Sequence, residues 1–187
     1  EIVRGDWSSD VCSSDLQRSI KDEDVKLEIK DLTYGQDVTD DQIKDALTIT
    51  YNGMTLVENS DYKITNIDKD GNKVTVTVEG IGNYKDVRTA TLRMAEKDIN
   101  TVTLPKIDAQ EYTGDEFVLN QDGTQLIVEG TGKKVADFEI KDGNYTLVLN
   151  KDYKVVNYEN NKNVGTATIN IVGTGSYTGT AAISFPI

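Results

Sequence analysis

The residues best suited to chemistry in this chain are oxygen donors gathered in one short run. Within the run Asp68 to Asn72 and just before it, Asn66, Asp68, Asp70 and Gly71 follow the first half of a calcium-binding loop, in which alternate positions supply ligands and a glycine makes the sharp turn. The second half departs from that pattern, because the twelfth position, where a bidentate glutamate closes the coordination shell, is Thr77 inside an alternating strand. The run therefore reads as a β-turn with Asp and Gly in their usual turn roles, with a loose calcium site on Asp68, Asp70 and Asn72 as the alternative. Tyr62 and Tyr153, each following an aspartate, offer ring faces on which a pyranose could stack. Their recurrence at matching positions favours the other use of such a tyrosine, packed with its hydroxyl tied to backbone, and the same holds for Tyr84 and Tyr177.

Other chemistries are missing from the composition. The chain has no histidine, and its single cysteine and single tryptophan are Cys12 and Trp7. Both fall in residues 1–16, which do not read as natural protein. Asp6 to Leu16 back-translates in one frame to a common short-read sequencing adaptor, with Glu1 and Ile2 fitting the bases before it and Val3 to Gly5 the sample barcode. The segment 1–16 is expected to be disordered and is set aside from fold reasoning, and with it any inference about a leader peptide.

What is left has neither the commonest general base nor a thiolate nucleophile or zinc ligand. A pair of carboxylates in a glycosidase arrangement needs a pocket on which both converge, and modules this small offer little of one. No cofactor is expected, and no catalysis. The full chain carries 32 acidic and 20 basic residues, and without residues 1–16 there remain 28 and 19, a net charge of −9. That balance repels phosphate backbones and argues against nucleic-acid partners. No apolar run approaches the ~20 residues needed to span a bilayer, so the segment is not expected to insert into membrane.

The elements that must position these residues are set by an internal repeat. Leu56 to Asn66 aligns with Leu147 to Asn157, sharing Leu, Val, Asn, Asp, Tyr, Lys and Asn in order. Gly80-Ile81-Gly82-Asn83-Tyr84 aligns with Gly173-Thr174-Gly175-Ser176-Tyr177, and Tyr34-Gly35 and Tyr112-Thr113-Gly114 occupy similar places near the start of each copy. The copies span 17–97 and 98–187, joined by the short linker Ala95-Glu96-Lys97-Asp98. Within them Lys73 to Val78 and Thr166 to Ile171 alternate with period two, as half-buried strands do. Asn52-Gly53 and Asp142-Gly143 read as tight hairpin turns. The paired glycines before Tyr84 and Tyr177 suit a chain corner, since no helix follows to aim amides at a phosphate. Thr39-Asp40-Asp41-Gln42 is a capping box, and Ile43, Ala46 and Leu47 extend it into a helix of two turns at most. In the second copy Phe117 to Asp137 takes that place, as an extra hairpin or extended loop.

The sequence Leu-x-x-x-x-Asp-Tyr, then Gly165-Thr166-Ala167 through Gly173-Thr174-Gly175-Ser176-Tyr177-Thr178-Gly179-Thr180 to Phe185-Pro186-Ile187, resembles a family of bacterial surface repeats, the bacterial Ig-like or MBG-type adhesin modules. The first copy departs from that pattern at Lys85 to Arg88 and at Asp68 to Asn72. The resemblance implies two tandem antiparallel β-sandwiches with no catalytic residues to carry over. It implies a non-catalytic spacer in a cell-surface or secreted protein, part of an adhesin stalk on a Gram-positive-like bacterium, with neighbouring repeats of the same chain as partners. An intramolecular isopeptide bond, as in other stalk domains, would draw on Lys26, which reads as buried, and one of several asparagines, with no particular triad marked in the sequence. The alternatives are β-grasp modules for the fold, and for function a module binding host or cell-wall glycan or protein, or an accessory domain of a secreted polysaccharide-degrading enzyme.

Overall fold

The computed structural model describes residues 17–187, so the adaptor-like segment 1–16 lies outside the described residues. The fold is all-β: small sheets dominate, with one α-helix, Asp40–Ala46, and one 3-10 turn, Ile99–Thr101, among the described residues. No helix among them is long and apolar enough to cross a membrane. They form two compact units. The first comprises the described chain up to Lys30 with Ala46–Lys69 and Val74–Leu92, the second Asp31–Asp45, Asp70–Lys73 and Arg93–Ile187.

In the first unit, Val25–Ile29 pairs antiparallel with Leu47–Tyr51, which turns through Asn52-Gly53 into Met54–Thr55. Both turn residues have positive φ, 46° and 80°, the backbone of the type I′ turn whose twist suits a two-residue hairpin. A second sheet sets Lys73–Gly80 between Tyr62–Asp70 and Val87–Arg93. Its central strand buries Val74, Val76 and Val78 completely. Each such side chain stabilises the fold by roughly 1.5–3 kcal/mol relative to exposure. Thr75 and Thr77 on the opposite face hydrogen-bond across the sheet to Thr91 at 3.3 Å and Thr89 at 3.0 Å. Arg18–Ser19 runs parallel to Tyr84–Lys85, and Arg88 reaches back to donate to the Val25 carbonyl at 2.5 Å.

The second unit repeats the three-stranded sheet as Tyr153–Glu159, Thr166–Gly173 and Thr180–Pro186. A bulge between Val155 and Asn157 leaves Val156 exposed. Ala167, Ile169 and Ile171 face inward with Ala181, Ile183 and Phe185. Phe185 meets Phe117 edge-to-face at 6.0 Å. Phe117 opens a meander of its own, Phe117–Leu119, Gln125–Val128 and Lys133–Asp137, so the segment expected to be one hairpin has three strands. Lys97–Asp98 runs parallel to Tyr177–Thr178, as Arg18–Ser19 does to Tyr84–Lys85.

Two local readings change. Asp142 pairs with Tyr145, so the turn is Gly143-Asn144 and Asp142 belongs to the strand. Gly143, at φ 58°, takes the position that a type II′ turn reserves for glycine. The helix forms with the expected capping box: Thr39 N donates to Gln42 Oε1 at 2.8 Å and Gln42 N to Thr39 Oγ1 at 3.3 Å. It spans seven residues and stops at Ala46, because Leu47 is already the first paired residue of a strand.

Candidate functional site

The motif Leu-Val-x-Asn-x-Asp-Tyr folds into the same loop twice. In the first unit Val57 N donates to Asp61 Oδ2 at 2.8 Å and Asp61 N to Val57 O at 2.8 Å, while Asn59 N donates to Tyr62 O at 2.7 Å. In the second, Val148 N donates to Asp152 Oδ2 at 2.9 Å, Asp152 N to Val148 O at 2.8 Å and Asn150 N to Tyr153 O at 2.7 Å. Asn59 and Asn150 have φ 65° and 67°, a left-handed backbone that asparagine tolerates better than most residues. The glycine corner follows the same rule. An added Cβ at Gly80 would lie 2.7 Å from Lys85 N, and one at Gly173 would lie 2.7 Å from Thr178 N. Ile81 N and Thr174 N, both at 2.9 Å, close the corner on the carbonyls of Asp61 and Asp152.

These loops settle the tyrosines. Tyr62 and Tyr153 are 4% and 1% exposed, and Tyr84 and Tyr177 9% and 1%, so none presents a ring face for sugar stacking. Tyr153 Oη donates to Gly123 O at 3.1 Å, and burial pushes its pKa up to about 12.

The second unit also holds a cleft of about 320 Å³, around which Tyr34, Gln36, Lys73, Arg93, Tyr145 and Lys151 are arranged. At its wall Tyr145 Oη donates to Asp152 Oδ2 at 2.8 Å, and Lys151 Nζ donates to Tyr145 Oη at 3.4 Å. Burial, and then the bond to Asp152, raises the Tyr145 pKa, so its hydroxyl holds its proton and acts as a hydrogen-bonding group rather than as a nucleophile. The bond to Tyr145 raises the Lys151 pKa in turn and keeps the ammonium charged. An adjoining hollow exposes an edge of a buried network: Asp142 accepts from Lys97 Nζ at 2.6 Å through Oδ1 and from Tyr177 Oη at 3.1 Å through Oδ2. Desolvation is the largest cause of the upward shift of the Tyr177 pKa. With Lys73, Arg93 and Lys151 against Asp70 and Asp152, the cleft can offer hydrogen bonds and a small excess of positive charge to a hydroxyl-rich or anionic ligand. Sequence reasoning did not single out Tyr145, Lys151, Lys73, Arg93 or the Lys97–Asp142 pair, because their convergence comes from residues far apart in the chain.

The sequence-derived candidates lie elsewhere. Asp68 and Asp70 are exposed on the strand Tyr62–Asp70, and Asn72 follows in the hairpin turn, 5% exposed. The Asn72 carbonyl accepts from Met94 N at 2.9 Å, its Nδ2 donates to Met94 O at 3.4 Å, and its backbone N donates to Ser176 Oγ at 2.8 Å. Its carboxamide is thereby a clasp on backbone, and Asn161 makes a similar clasp on a different strand, its O accepting from Phe117 N at 2.8 Å and its Nδ2 donating to Phe117 O at 2.9 Å. Among the described residues no three His, Cys, Asp or Glu side chains gather in a metal-holding group. Lys26, expected to be buried, points outward from the strand Val25–Ile29 and is exposed. Comparison with protein-family models, with curated proteins and with solved structures finds no match to this chain.

Proposed function

We propose that the chain is a pair of non-catalytic structural repeats from a bacterial cell-surface or secreted protein, serving as spacer in an adhesin stalk. The observation that carries this reading is the duplicated loop and corner, in which Asp61 and Asp152, Tyr62 and Tyr153, and Tyr84 and Tyr177 are all committed to the interior or to backbone. A motif kept in two copies for ligand contact would turn those side chains outward, whereas here both copies hold the same backbone shape. The acidic surface fits a long, soluble, self-repelling array. The complete open reading frame tests the proposal. Further copies of the Asp-Tyr and Gly-x-Gly-x-Tyr motifs, together with a secretion signal, are expected, and a frame with no third copy and no export signal would sink it.

A specific observation favours one second reading, a glycan-binding module. Lys73, Arg93 and Lys151 outnumber Asp70 and Asp152 around a single cleft beside the Tyr145 hydroxyl, in a chain whose net charge is −12. An acidic oligosaccharide would satisfy both the cations and the hydrogen-bonding groups. Calorimetric titration with uronic-acid oligosaccharides decides it, with Arg93→Ala as the control for the cleft.

A further inference from the structure

The internal repeat allows one surface of the second repeat to be compared with its counterpart in the first. Tyr34 belongs to the first repeat by sequence, and a short parallel ladder holds it in the second unit. Thr33 bridges Ala95, Ala95 N donates to Leu32 O at 2.9 Å, and Tyr34 N donates to Ala95 O at 2.8 Å. So placed, its ring meets that of Tyr177 edge-to-face at 5.5 Å, and the two rings are 8% and 1% exposed. Beside them the hairpin tip at Gly71-Asn72 receives Ser176, the residue before the corner tyrosine, through the bond from Asn72 N to Ser176 Oγ at 2.8 Å.

Tyr112 is the counterpart of Tyr34, and the backbone register supports the match independently of the sequence. Gln110 N donates to Pro186 O at 2.9 Å, a bond of the same kind as that from Tyr34 N to Ala95 O at 2.8 Å. The corner alignment, Gly80 with Gly173 and Tyr84 with Tyr177, makes Pro186 the equivalent of Arg93. Counted from that bond, Ala109 matches Asp31, two residues before Thr33, and Tyr112, three residues on, matches Tyr34. The side chains differ in one respect: Tyr112 is 59% exposed and Tyr34 8%. Val164 is 73% exposed on the loop that corresponds to the Gly71-Asn72 tip, where Gly165 O accepts from Ile187 N at 2.8 Å as Asn72 O accepts from Met94 N at 2.9 Å.

We infer that Tyr112 and the Asn161–Val164 loop form a docking surface for the Gly-x-Gly-x-Tyr corner of another repeat of this kind, with the Tyr112 ring seated edge-to-face on the corner tyrosine. The inference rests on the structural-repeat reading and names the partner of each repeat. The exposed tyrosine is an unoccupied copy of a contact that this chain makes once already. Edge-to-face pairs of this type add about 0.5–1.5 kcal/mol beyond the area they bury. A contact of that size suffices in tandem, where a short connection holds neighbouring repeats at millimolar effective concentration.

The chain carries one corner that no Tyr34-like residue among those described is shown to cover, Gly80–Tyr84, whose tyrosine is 9% exposed and meets Tyr51 edge-to-face at 6.3 Å, and a second molecule of the chain can present it as the probe. Isotope-labelled chain titrated with unlabelled chain to about 1 mM, the concentration that a tandem connection supplies, is expected to show amide shift changes at Tyr112–Gly114 and Asn161–Gly165 and at the Gly80–Tyr84 corner. Tyr112→Ala is expected to remove those changes while the melting temperature stays put, since the ring is exposed. Absence of shifts, shifts confined to other surfaces, or shifts that survive Tyr112→Ala would overturn the inference. If the open reading frame contains further copies and no shifts appear, the docking surface fails and the repeat reading stands. A frame without further copies removes the reading on which the surface depends.

Discussion

Oδ1 of the buried Asp142 carboxylate lies 2.6 Å from the ammonium of Lys97, and the pair is the most deeply placed ion pair among the described residues. Removing one member leaves the other charge uncompensated, and loss of Asp142 also takes away the carboxylate acceptor of the Tyr177 hydroxyl. Asp142→Ala is expected to lower stability by roughly 3 kcal/mol in urea unfolding. The triple variant Lys97→Met, Asp142→Leu, Tyr177→Phe, which removes the polar groups together, is expected to recover most of that loss. A triple variant no more stable than Asp142→Ala would show that the network contributes more than mutual satisfaction.

Asp61 and Asp152 make the same bond to the amide four residues earlier, but only Asp152 is fully buried, and it also accepts from Tyr145. An unsatisfied buried donor costs more than an exposed one, which water can serve. Asp152→Ala should therefore destabilise by about 2–3 kcal/mol and Asp61→Ala by about 1 kcal/mol. Equal losses in thermal unfolding would contradict the burial argument.

At the corner, Gly173→Ala drives a methyl group to 2.7 Å from backbone nitrogen, whereas at Gly132 nothing lies within 4 Å of an added Cβ and only the positive φ of 67° opposes alanine. The expected losses are about 3 kcal/mol at Gly173, where overpacked backbone must move, and about 1 kcal/mol at Gly132. The first copy has an improvable position. Asp86 sits at φ 73° where the second copy has Gly179 at φ 78°. Asp86→Gly should raise the melting temperature, because it relieves a left-handed strain of about 1 kcal/mol.

Alkaline pH should unfold the protein through its tyrosines. Burial raises the Tyr153 pKa to about 12 and shifts Tyr34, Tyr62, Tyr84 and Tyr177 upward as well. The unfolded state ionises near the ordinary tyrosine value while the folded state keeps its protons, so the stability held below that value is lost as pH rises through the folded values. Denaturant midpoints should fall progressively from about pH 10 to pH 12. Tyrosinate absorbance should appear together with the loss of β-sheet circular dichroism, and ionisation of these tyrosines in an intact fold would contradict the assignment.

Millimolar calcium is expected to leave the melting temperature unchanged, because the Asn72 carbonyl, the atom that the seventh position of a calcium loop supplies, accepts from Met94 N. A rise abolished by Asp70→Asn would reinstate the loop as a cation site.

Strand periodicity made much of this fold legible. Val74, Val76 and Val78 alternate with polar residues, the capping box at Thr39 forms as read, and the Asp-Tyr motif marks the same loop in both copies. The departure of the first copy at Lys85 to Arg88 has a local cause. Gly179 must be glycine because a Cβ there would lie 2.6 Å from Asp98 Oδ1, whereas at the matching corner Lys85 pairs with Ser19 and Asp86 is accommodated. Legibility ended where partners are distant in the chain. Asp142 read as a turn residue because a glycine follows it, and nothing local announces Lys97, 45 residues earlier, as its partner. Lys26 looked buried among apolar neighbours, yet strand alternation turns it outward while Val25 goes in.

The parallel pairing of Lys97–Asp98 with Tyr177–Thr178 bears on how the second repeat takes a pull. The latter strand leads within two residues into Thr180–Pro186. Tension entering at Lys97 and leaving through Pro186 therefore drags the two paired strands in opposite directions along their own axes. Bonds in that shear geometry stretch together, whereas an antiparallel end pair would peel open one bond at a time. Arg18–Ser19 and Tyr84–Lys85, which leads into Val87–Arg93, are wired in the same sense.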